Sequence, residues 1–385
     1  MNAHLNNTVS GRMNWLDGAR LAAAFCIIGI HTSSDRLGGA FKQAESHDRV
    51  FPVLMRSISE MASTEFFILV SLFLLSMKLA KSSTPFIPTM QLQARRLLVP
   101  FAFWTVFYVF FRLYKAHYLG YEQAILDQIG SPSSWLGYFL LGNANFHMHF
   151  LPTLFLLLLF HRLYKLAIHY PLLGLLVIPM LYVNDSIGGW IWETIEDPFV
   201  REYTVRFIKI LTYTGYGFFA YAMYGFWQRG IPAESAKSLF GFSLFLVVLG
   251  FLIKLIYAQK VGVVGEFIVR RDLIFYGHYL LPCAMLAAFM CSWYLRWPDR
   301  LSQWSRFSFG MYLIHPAIMD LFDVAFLGFS LQPDWYVLIK YSATAFLSLS
   351  LTMAIGRVSL IAWTVGLGPL PGTRTKGKAP VPAVQ

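Results

Sequence analysis

Charged residues are scarce in this sequence. Asp, Glu, Lys and Arg make up 13% of its 385 residues, whereas hydrophobic residues make up 57%. A soluble domain typically contains about 25% charged residues. The deficit runs along almost the whole chain, and no long polar block remains to fold as a separate soluble domain. The scarcity of charge therefore predicts an integral membrane protein.

Cysteine is almost absent, and a nucleic-acid-binding pattern is missing. Cys26, Cys283 and Cys291 all lie in apolar runs, with the spacing of neither a disulfide framework nor a metal site. We expect them to pack in the core and expect no metal centre. The net charge is +11, but the basic residues lie in short clusters between apolar runs. They form no stripe with interleaved aromatic residues, which argues against a nucleic-acid partner.

Apolar runs predict an all-α polytopic membrane protein with about ten transmembrane helices. A spanning helix needs roughly 20 mainly apolar residues. The runs that fit this length, one of them short, lie at 14–34, 57–79, 97–116, 149–168, 171–184, 205–227, 238–258, 272–295, 304–326 and 336–366. We predict a single transmembrane domain over residues 1–370 and a disordered, basic and Pro-rich cytoplasmic tail over residues 371–385.

The distribution of charge predicts the orientation of these spans. With a cytoplasmic N-terminus, the cytoplasmic segments contain 15 of the 31 Lys and Arg residues and only three acidic residues, Asp17, Glu234 and Asp299. Because Lys and Arg concentrate on the cytoplasmic side of membrane proteins, both termini are predicted to be cytoplasmic.

The first predicted span contains two ionisable residues, Arg20 and His31. Eleven residues at about 100° each complete nearly three turns, so both side chains lie on one helix face, about 16.5 Å apart along the axis. An ionisable residue within a span is costly and usually faces a protein-lined or water-filled cavity. The pair indicates a polar path across the membrane. The alternative is that Arg20 reaches the lipid headgroups and His31 simply bonds a neighbour.

A neutral imidazole at His31 is a candidate general base. Such a base needs a partner that fixes its tautomer. Asp35, one turn further along the chain, and Glu65, near the outer end of the second predicted span, are both candidates. The sequence does not choose between them.

Five stretches carry a family resemblance. In chain order they read WLDGARL…GIHT, STEFFILVSLFLLS, QLQARRLLVPF, HMHFLPTLFLL and FSFGMYLIHPAIM. Together they resemble the motifs of the acyltransferase-3 family of membrane O-acyltransferases over residues 13–366, most closely the group that acetylates enterobacterial common antigen. The chain departs from the pattern at Leu72, where the family has glycine, and at His149, where it has tryptophan. Gln91 and Leu92 stand where the family often has a further arginine.

The resemblance implies a reaction and a location. The protein would transfer an acyl group, usually acetyl, from cytoplasmic acyl-CoA to a hydroxyl of a surface or secreted glycan or of a lipid-linked glycan. Acetyl-CoA would be a donor substrate, with no permanently bound cofactor. The implied location is the bacterial inner membrane, with lipids and a component of a polysaccharide machinery as further partners.

The resemblance also implies roles for individual residues. Arg20 would lie where the coenzyme enters, and His31 would deprotonate the acceptor hydroxyl or briefly carry the acyl group. Arg95 and Arg96 would hold the phosphates of the coenzyme, because the planar guanidinium group suits phosphate oxygens. Without the resemblance, this basic pair is an ordinary cytoplasmic helix end.

Four further residues are candidates for substrate binding. His147 and His149 lie at the outer mouth of the fourth predicted span, where an acceptor would arrive. Tyr312 and His315 lie one turn apart in the ninth and would line the same cavity, although a buried, hydrogen-bonded His315 is equally compatible with the sequence.

A transporter or flippase for a lipid-linked or acidic substrate is the main alternative function, since Arg20 and His31 also suit a substrate or proton path. The sequence shows no internal repeat, which argues against it.

Overall fold

The computed structural model describes residues 13–80, 85–265 and 275–370. Every regular element in these ranges is helical, which confirms the predicted all-α fold. The predicted tail over residues 371–385 lies outside the described residues. The α-helices, in chain order, are α1 (Asn14–Thr32), α2 (Ser46–Ser59), α3 (Thr64–Ala80), α4 (Phe86–Leu119), α5 (Glu122–Gly130), α6 (Pro132–Leu140), α7 (Phe150–Leu159), α8 (His161–His169), α9 (Val177–Thr194), α10 (Pro198–Arg229), α11 (Ala233–Gln259), α12 (Leu281–Cys291), α13 (Arg300–Ser305), α14 (Ser308–Ala325) and α15 (Pro333–Arg357).

Five helical stretches among the described residues are long and apolar enough to cross a membrane. They are Ser46–Leu79, Phe86–Leu119, Pro171–Thr194, Ala233–Val264 and Pro333–Arg357. A sixth arises if α7 and α8 together form one broken span. The membrane character of the chain is therefore evident, while the ten crossings and the cytoplasmic termini stay predictions.

Several helical boundaries differ from the sequence-based ones. Helix α4 begins at Phe86 rather than at residue 97, and the fifth predicted span, 171–184, continues to Thr194. The second predicted span begins at residue 57, but the helical stretch starts at Ser46 and runs through a short 3-10 turn. The fourth, predicted as one helix over 149–168, bends by 65° between α7 and α8. The imidazole of His161, the first residue of α8, lies 3.1 Å from the Tyr221 hydroxyl of α10. The segment 117–148, between the third and fourth predicted spans, contains α5 and α6. Gly120 ends α4 in a left-handed conformation, and Pro132 opens α6.

Helix α1 is tightly enclosed by its neighbours. A Cβ atom at Gly29 would lie 2.1 Å from Ser59 Oγ, and one at Gly18 would lie 2.8 Å from the Trp297 ring. Ala19 and Ala23 are fully buried on the same helix. Small residues let neighbouring helices approach this closely. The position of α1 is therefore fixed along its length, and so are the positions of Arg20 and His31.

Candidate functional site

Three histidine side chains from distant parts of the chain meet in one place. His31 lies in the last turn of α1, His315 in α14, and His147 in the connection between α6 and α7. The rings of His31 and His315 stack with centroids 5.4 Å apart at 18°. The ring of His147 meets that of His315 edge-on at 5.4 Å. We call these three residues the histidine cluster.

The hydrogen bonds of His315 fix its tautomer. Its Nδ1 lies 2.8 Å from the backbone carbonyl oxygen of Tyr312. Because a carbonyl oxygen only accepts hydrogen bonds, Nδ1 carries the proton and Nε2 keeps its lone pair. That Nε2 atom is buried and has no hydrogen-bond partner among the described residues. His315 therefore presents an unused proton acceptor inside the cluster.

His147 is held by its backbone and by aromatic neighbours. The hydroxyl of Tyr312 donates a hydrogen bond to the His147 carbonyl oxygen, and the Tyr108 ring packs edge-on against the imidazole at 5.0 Å. Both ring nitrogens of His147 are buried, without a hydrogen-bond partner among the described residues. Buried polar atoms usually have partners, so this ring is suited to bind a polar substrate group or water.

Phe146 and His149 flank the cluster. The Phe146 ring lies 4.4 Å from the His31 ring and is half exposed. The Nδ1 atom of His149 lies 2.7 Å from the Phe146 carbonyl oxygen and therefore donates to it. The Phe146 side chain therefore packs on the imidazole of His31, the candidate base.

Glu65 belongs to a second group of side chains. Its carboxylate accepts a hydrogen bond of 2.8 Å from the Tyr213 hydroxyl. It lies 3.9 Å from Lys209 Nζ and 3.6 Å from His278 Nε2. The carboxylate is almost fully buried, and a buried carboxylate needs such partners. We call Glu65, Lys209, Tyr213 and His278 the Glu65 cluster.

Neither candidate carboxylate hydrogen-bonds the His31 ring. The Oδ1 atom of Asp35 accepts bonds from the backbone N–H groups of Leu37 at 2.9 Å and Gly39 at 2.7 Å. Glu65 is bound within its own cluster. The two clusters are nevertheless linked through α3, because the ring of Phe67, two residues after Glu65, stacks on that of Tyr312 beside His315 with centroids 5.8 Å apart.

The predicted coenzyme-binding arginines lie away from the histidine cluster. Arg20 Nη1 lies 3.5 Å from Asp17 Oδ1, and Asp17 accepts a hydrogen bond of 2.6 Å from Ser305. This contact ties the start of α1 to α13. Arg95 and Arg96 are exposed on α4. Helix α1 is continuous from Asn14 to Thr32, so Arg20 and His31 lie about 16.5 Å apart along its axis.

The stacked arrangement of the histidines does not resemble a metal site. Within the described ranges, no group of three or more His, Cys, Asp or Glu side chains is placed to hold a metal ion. Parallel rings direct their nitrogen lone pairs past one another rather than toward one ion. The cluster is better suited to hydrogen bonding and proton transfer.

The sequence reasoning missed two partners of Glu65, namely Lys209 and His278. The sequence gives no indication of a partner for His278, yet its imidazole contacts the carboxylate. A usable signal was present. Glu65 and Lys209 carry opposite charges inside two predicted spans, and such charges tend to pair because each is costly alone.

Comparison with known proteins gives a family and no individual relative. The sequence profile of the family described as "Acyltransferase domain" matches residues 13–357. No curated protein matches the chain, and no solved structure does. The family match includes α1 to α15 and all three members of the histidine cluster. The chain therefore belongs to the acyltransferase-3 family.

Proposed function

We propose that this protein is a membrane O-acyltransferase. It takes an acyl group, typically acetyl, from cytoplasmic acyl-CoA and transfers it to a hydroxyl of a surface or secreted glycan or its lipid-linked precursor. Enterobacterial common antigen is the acceptor that the sequence resemblance favours. The proposal places the protein in a bacterial inner membrane, with ten crossings and both termini in the cytoplasm.

The observation that carries this proposal is the histidine cluster in a member of an acyltransferase family. His31 stacks on His315, whose Nε2 is a proton acceptor without a hydrogen-bond partner in the part of the chain that the structure describes. Both nitrogens of His147 complete the polar surface. Acyl transfer to an alcohol requires a group that removes the hydroxyl proton as the new bond forms. Neutral imidazoles with free lone pairs meet this requirement.

The chemistry balances with one histidine acting as a shuttle. The imidazole of His31 takes the proton from the acceptor hydroxyl, and the oxygen attacks the thioester carbonyl carbon. A new C–O bond forms, the C–S bond breaks, and the proton passes to the departing thiolate to give free coenzyme A. If His31 instead carries the acyl group covalently, a C–N bond to its imidazole first forms as the C–S bond breaks, and the imidazole N–H proton goes to the thiolate. The acceptor hydroxyl then attacks the acyl carbon, the C–O bond forms, the C–N bond breaks, and the hydroxyl proton returns to the imidazole.

The donor would reach this site along the polar face of α1. Arg20, about 16.5 Å below His31 along the axis, would meet the charged part of acyl-CoA, while the pantetheine arm extends toward the cluster. Arg95 and Arg96 are exposed and would contact the phosphates at the cytoplasmic surface. Glycan hydroxyls would approach from the opposite side, near Phe146 and His149.

The decisive experiment replaces His31 in membranes supplied with radiolabelled acetyl-CoA. We expect His31→Ala, at normal expression, to abolish incorporation of label into glycan and to remove the O-acyl signals from its NMR spectrum. His169→Ala is the matched control, because His169 is exposed at the end of α8. Unchanged acylation in His31→Ala would exclude His31 as the catalytic residue.

The same experiment addresses the transport alternative, which no contact in the described residues favours. A transporter variant would lose glycan export or carrier turnover while the remaining glycan keeps its acyl pattern. The enzyme predicts the reverse, with unacylated glycan made in normal amount.

A further inference from the structure

A cavity of about 340 Å³ with several polar side chains in a mainly apolar lining lies beside the Glu65 cluster, between α9 and α10. Asn184, Gly188 and Trp192 line it from α9, at intervals of four residues. Residues four apart lie on one face of a helix. Lys209 and Tyr213 line it from α10 with the same spacing. Two regular helix faces thus form the walls of one groove.

The polar groups of this cavity are held in place by the protein. The side-chain oxygen of Asn184 accepts a hydrogen bond of 3.0 Å from the Thr212 hydroxyl. Its amide nitrogen donates to the Tyr279 hydroxyl at 3.4 Å. Lys209 is oriented by Glu65, 3.9 Å away. A site with pre-oriented polar groups loses less entropy when it binds a ligand.

The cavity also offers an aromatic surface and open space. Trp192 is 59% exposed, and the guanidinium of Arg201 lies 4.4 Å from its ring centroid. A Cβ atom added at Gly188 would meet no other atom within 4 Å. The helix face at Gly188 is therefore free to accept the flat side of a ligand.

The charged groups around the cavity carry both signs. Lys209 is compensated by Glu65, the Arg201 guanidinium lies on the Trp192 ring, and Asp185 contributes a carboxylate to the lining. An anionic ligand would therefore meet carboxylates as well as cations here. A neutral ligand rich in hydroxyl groups fits better, because amide and carboxylate groups bind hydroxyls directly.

We propose that this cavity binds a sugar ring of the acceptor glycan, next to the ring that is acylated. The C–H face of the sugar would pack on Trp192, because the face of an aromatic ring carries partial negative charge. The hydroxyls of the sugar would form hydrogen bonds with Asn184 and Asp185. Glu65 contacts Lys209 and Tyr213 of the cavity lining, and Phe67, two residues further along α3, stacks on Tyr312 beside His315. The inference rests on the proposed acyl transfer to a glycan, for which it supplies an acceptor subsite.

The first test fills the cavity without removing any native contact. Gly188→Leu projects a side chain into the open space, and Gly241→Leu on α11 is the matched control, since a Cβ there also meets nothing within 4 Å. Full-length variants in membranes receive radiolabelled acetyl-CoA, and label is counted separately in glycan and in free acetate. We expect Gly188→Leu to lower the glycan label at least tenfold, with acetate release unchanged, and Gly241→Leu to match the wild type.

The second test removes the aromatic surface. It tests sugar binding in the cavity even if the Gly188→Leu protein does not accumulate in the membrane. Trp192→Ala should lower the glycan label at least tenfold, and Trp192→Tyr should restore most of it. The control is Trp190→Ala, because Trp190 is 60% exposed on the same helix and does not line the cavity. Normal glycan labelling in both Gly188→Leu and Trp192→Ala would overturn the inference. Failure of the wild type to transfer any label would instead reject the proposed function.

Discussion

Replacing Glu65 by glutamine removes a buried negative charge and keeps the shape of the side chain. Lys209 Nζ lies 3.9 Å from this carboxylate. Two unit charges at that distance attract by about 4 kcal/mol at an effective dielectric constant of about 20. The Lys209 side chain is 22% exposed, which reduces the loss. We expect Glu65→Gln to lower the free energy of unfolding by about 3 kcal/mol, the lower end for an orphaned buried charge.

A second substitution separates stability from catalysis. Lys209→Met removes the cation that Glu65→Gln leaves without a counter-charge. The double variant should therefore be more stable than the sum of the two single losses predicts, with an interaction energy of about 1–3 kcal/mol. Unfolding in mixed micelles measures the stabilities, and transfer of label from acetyl-CoA to glycan measures the activity.

The outcomes have distinct meanings. If Glu65 acts in catalysis, the double variant regains stability but not acyl transfer. Full recovery of acyl transfer in the double variant would limit Glu65 to a structural role. Wild-type stability in Glu65→Gln would refute the energetic reasoning itself. Glu234→Gln is the control, because its pair with Lys237 is exposed and screened by solvent.

Three further predictions concern the histidine cluster, the arginines and a buried ion pair. His315→Ala should lower the rate of acyl transfer about 100-fold and leave the KM for acetyl-CoA unchanged, because acid–base groups contribute about 10²–10⁴-fold to the rate. Steady-state kinetics in membranes measures both constants. Arg20→Gln should raise that KM about tenfold, because hydrogen bonds to charged groups contribute about 1.5–3 kcal/mol. Replacing the exposed Arg95 should raise the KM less in the same assay. Lys340→Met should destabilise the protein by less than the loss of about 3 kcal/mol expected for an orphaned buried charge, because Asp323, 2.7 Å from Lys340 Nζ, keeps a second ion pair with Lys115. Unchanged unfolding in micelles would contradict this last expectation.

Much of the fold follows from the sequence, because apolar runs of sufficient length have few structural solutions in a membrane. The bend between α7 and α8 does not follow. It lies where the apolar run ends and His161, Arg162 and Lys165 begin, and His161 pairs there with Tyr221 of a distant helix. Hydrophobicity reports that a segment is buried in lipid or protein. It carries no information about a partner 60 residues away.

The site was predictable along each helix but not between helices. Helical periodicity places Arg20 and His31 on one face, and the family motifs single out His315. Periodicity does not say which helices are neighbours. The pairing of Glu65 with Lys209 and His278 therefore becomes visible only in the structure, where α3 packs against α10 and the segment before α12. For the same reason, the sequence favoured carboxylates as partners of His31, where the structure has a second imidazole.

The stacking of His31 on His315 limits how many protons the site can hold. Two positive charges 5.4 Å apart repel by about 3 kcal/mol at an effective dielectric constant of about 20. Once one ring is an imidazolium ion, its neighbour is held neutral. The pair therefore takes up one proton at a time, and formation of one ester from a hydroxyl releases one proton. Under the proposed reaction, the site must pass that proton to the leaving thiolate before a second hydroxyl can react. The number of protons passed to thiolate therefore equals the number of esters formed.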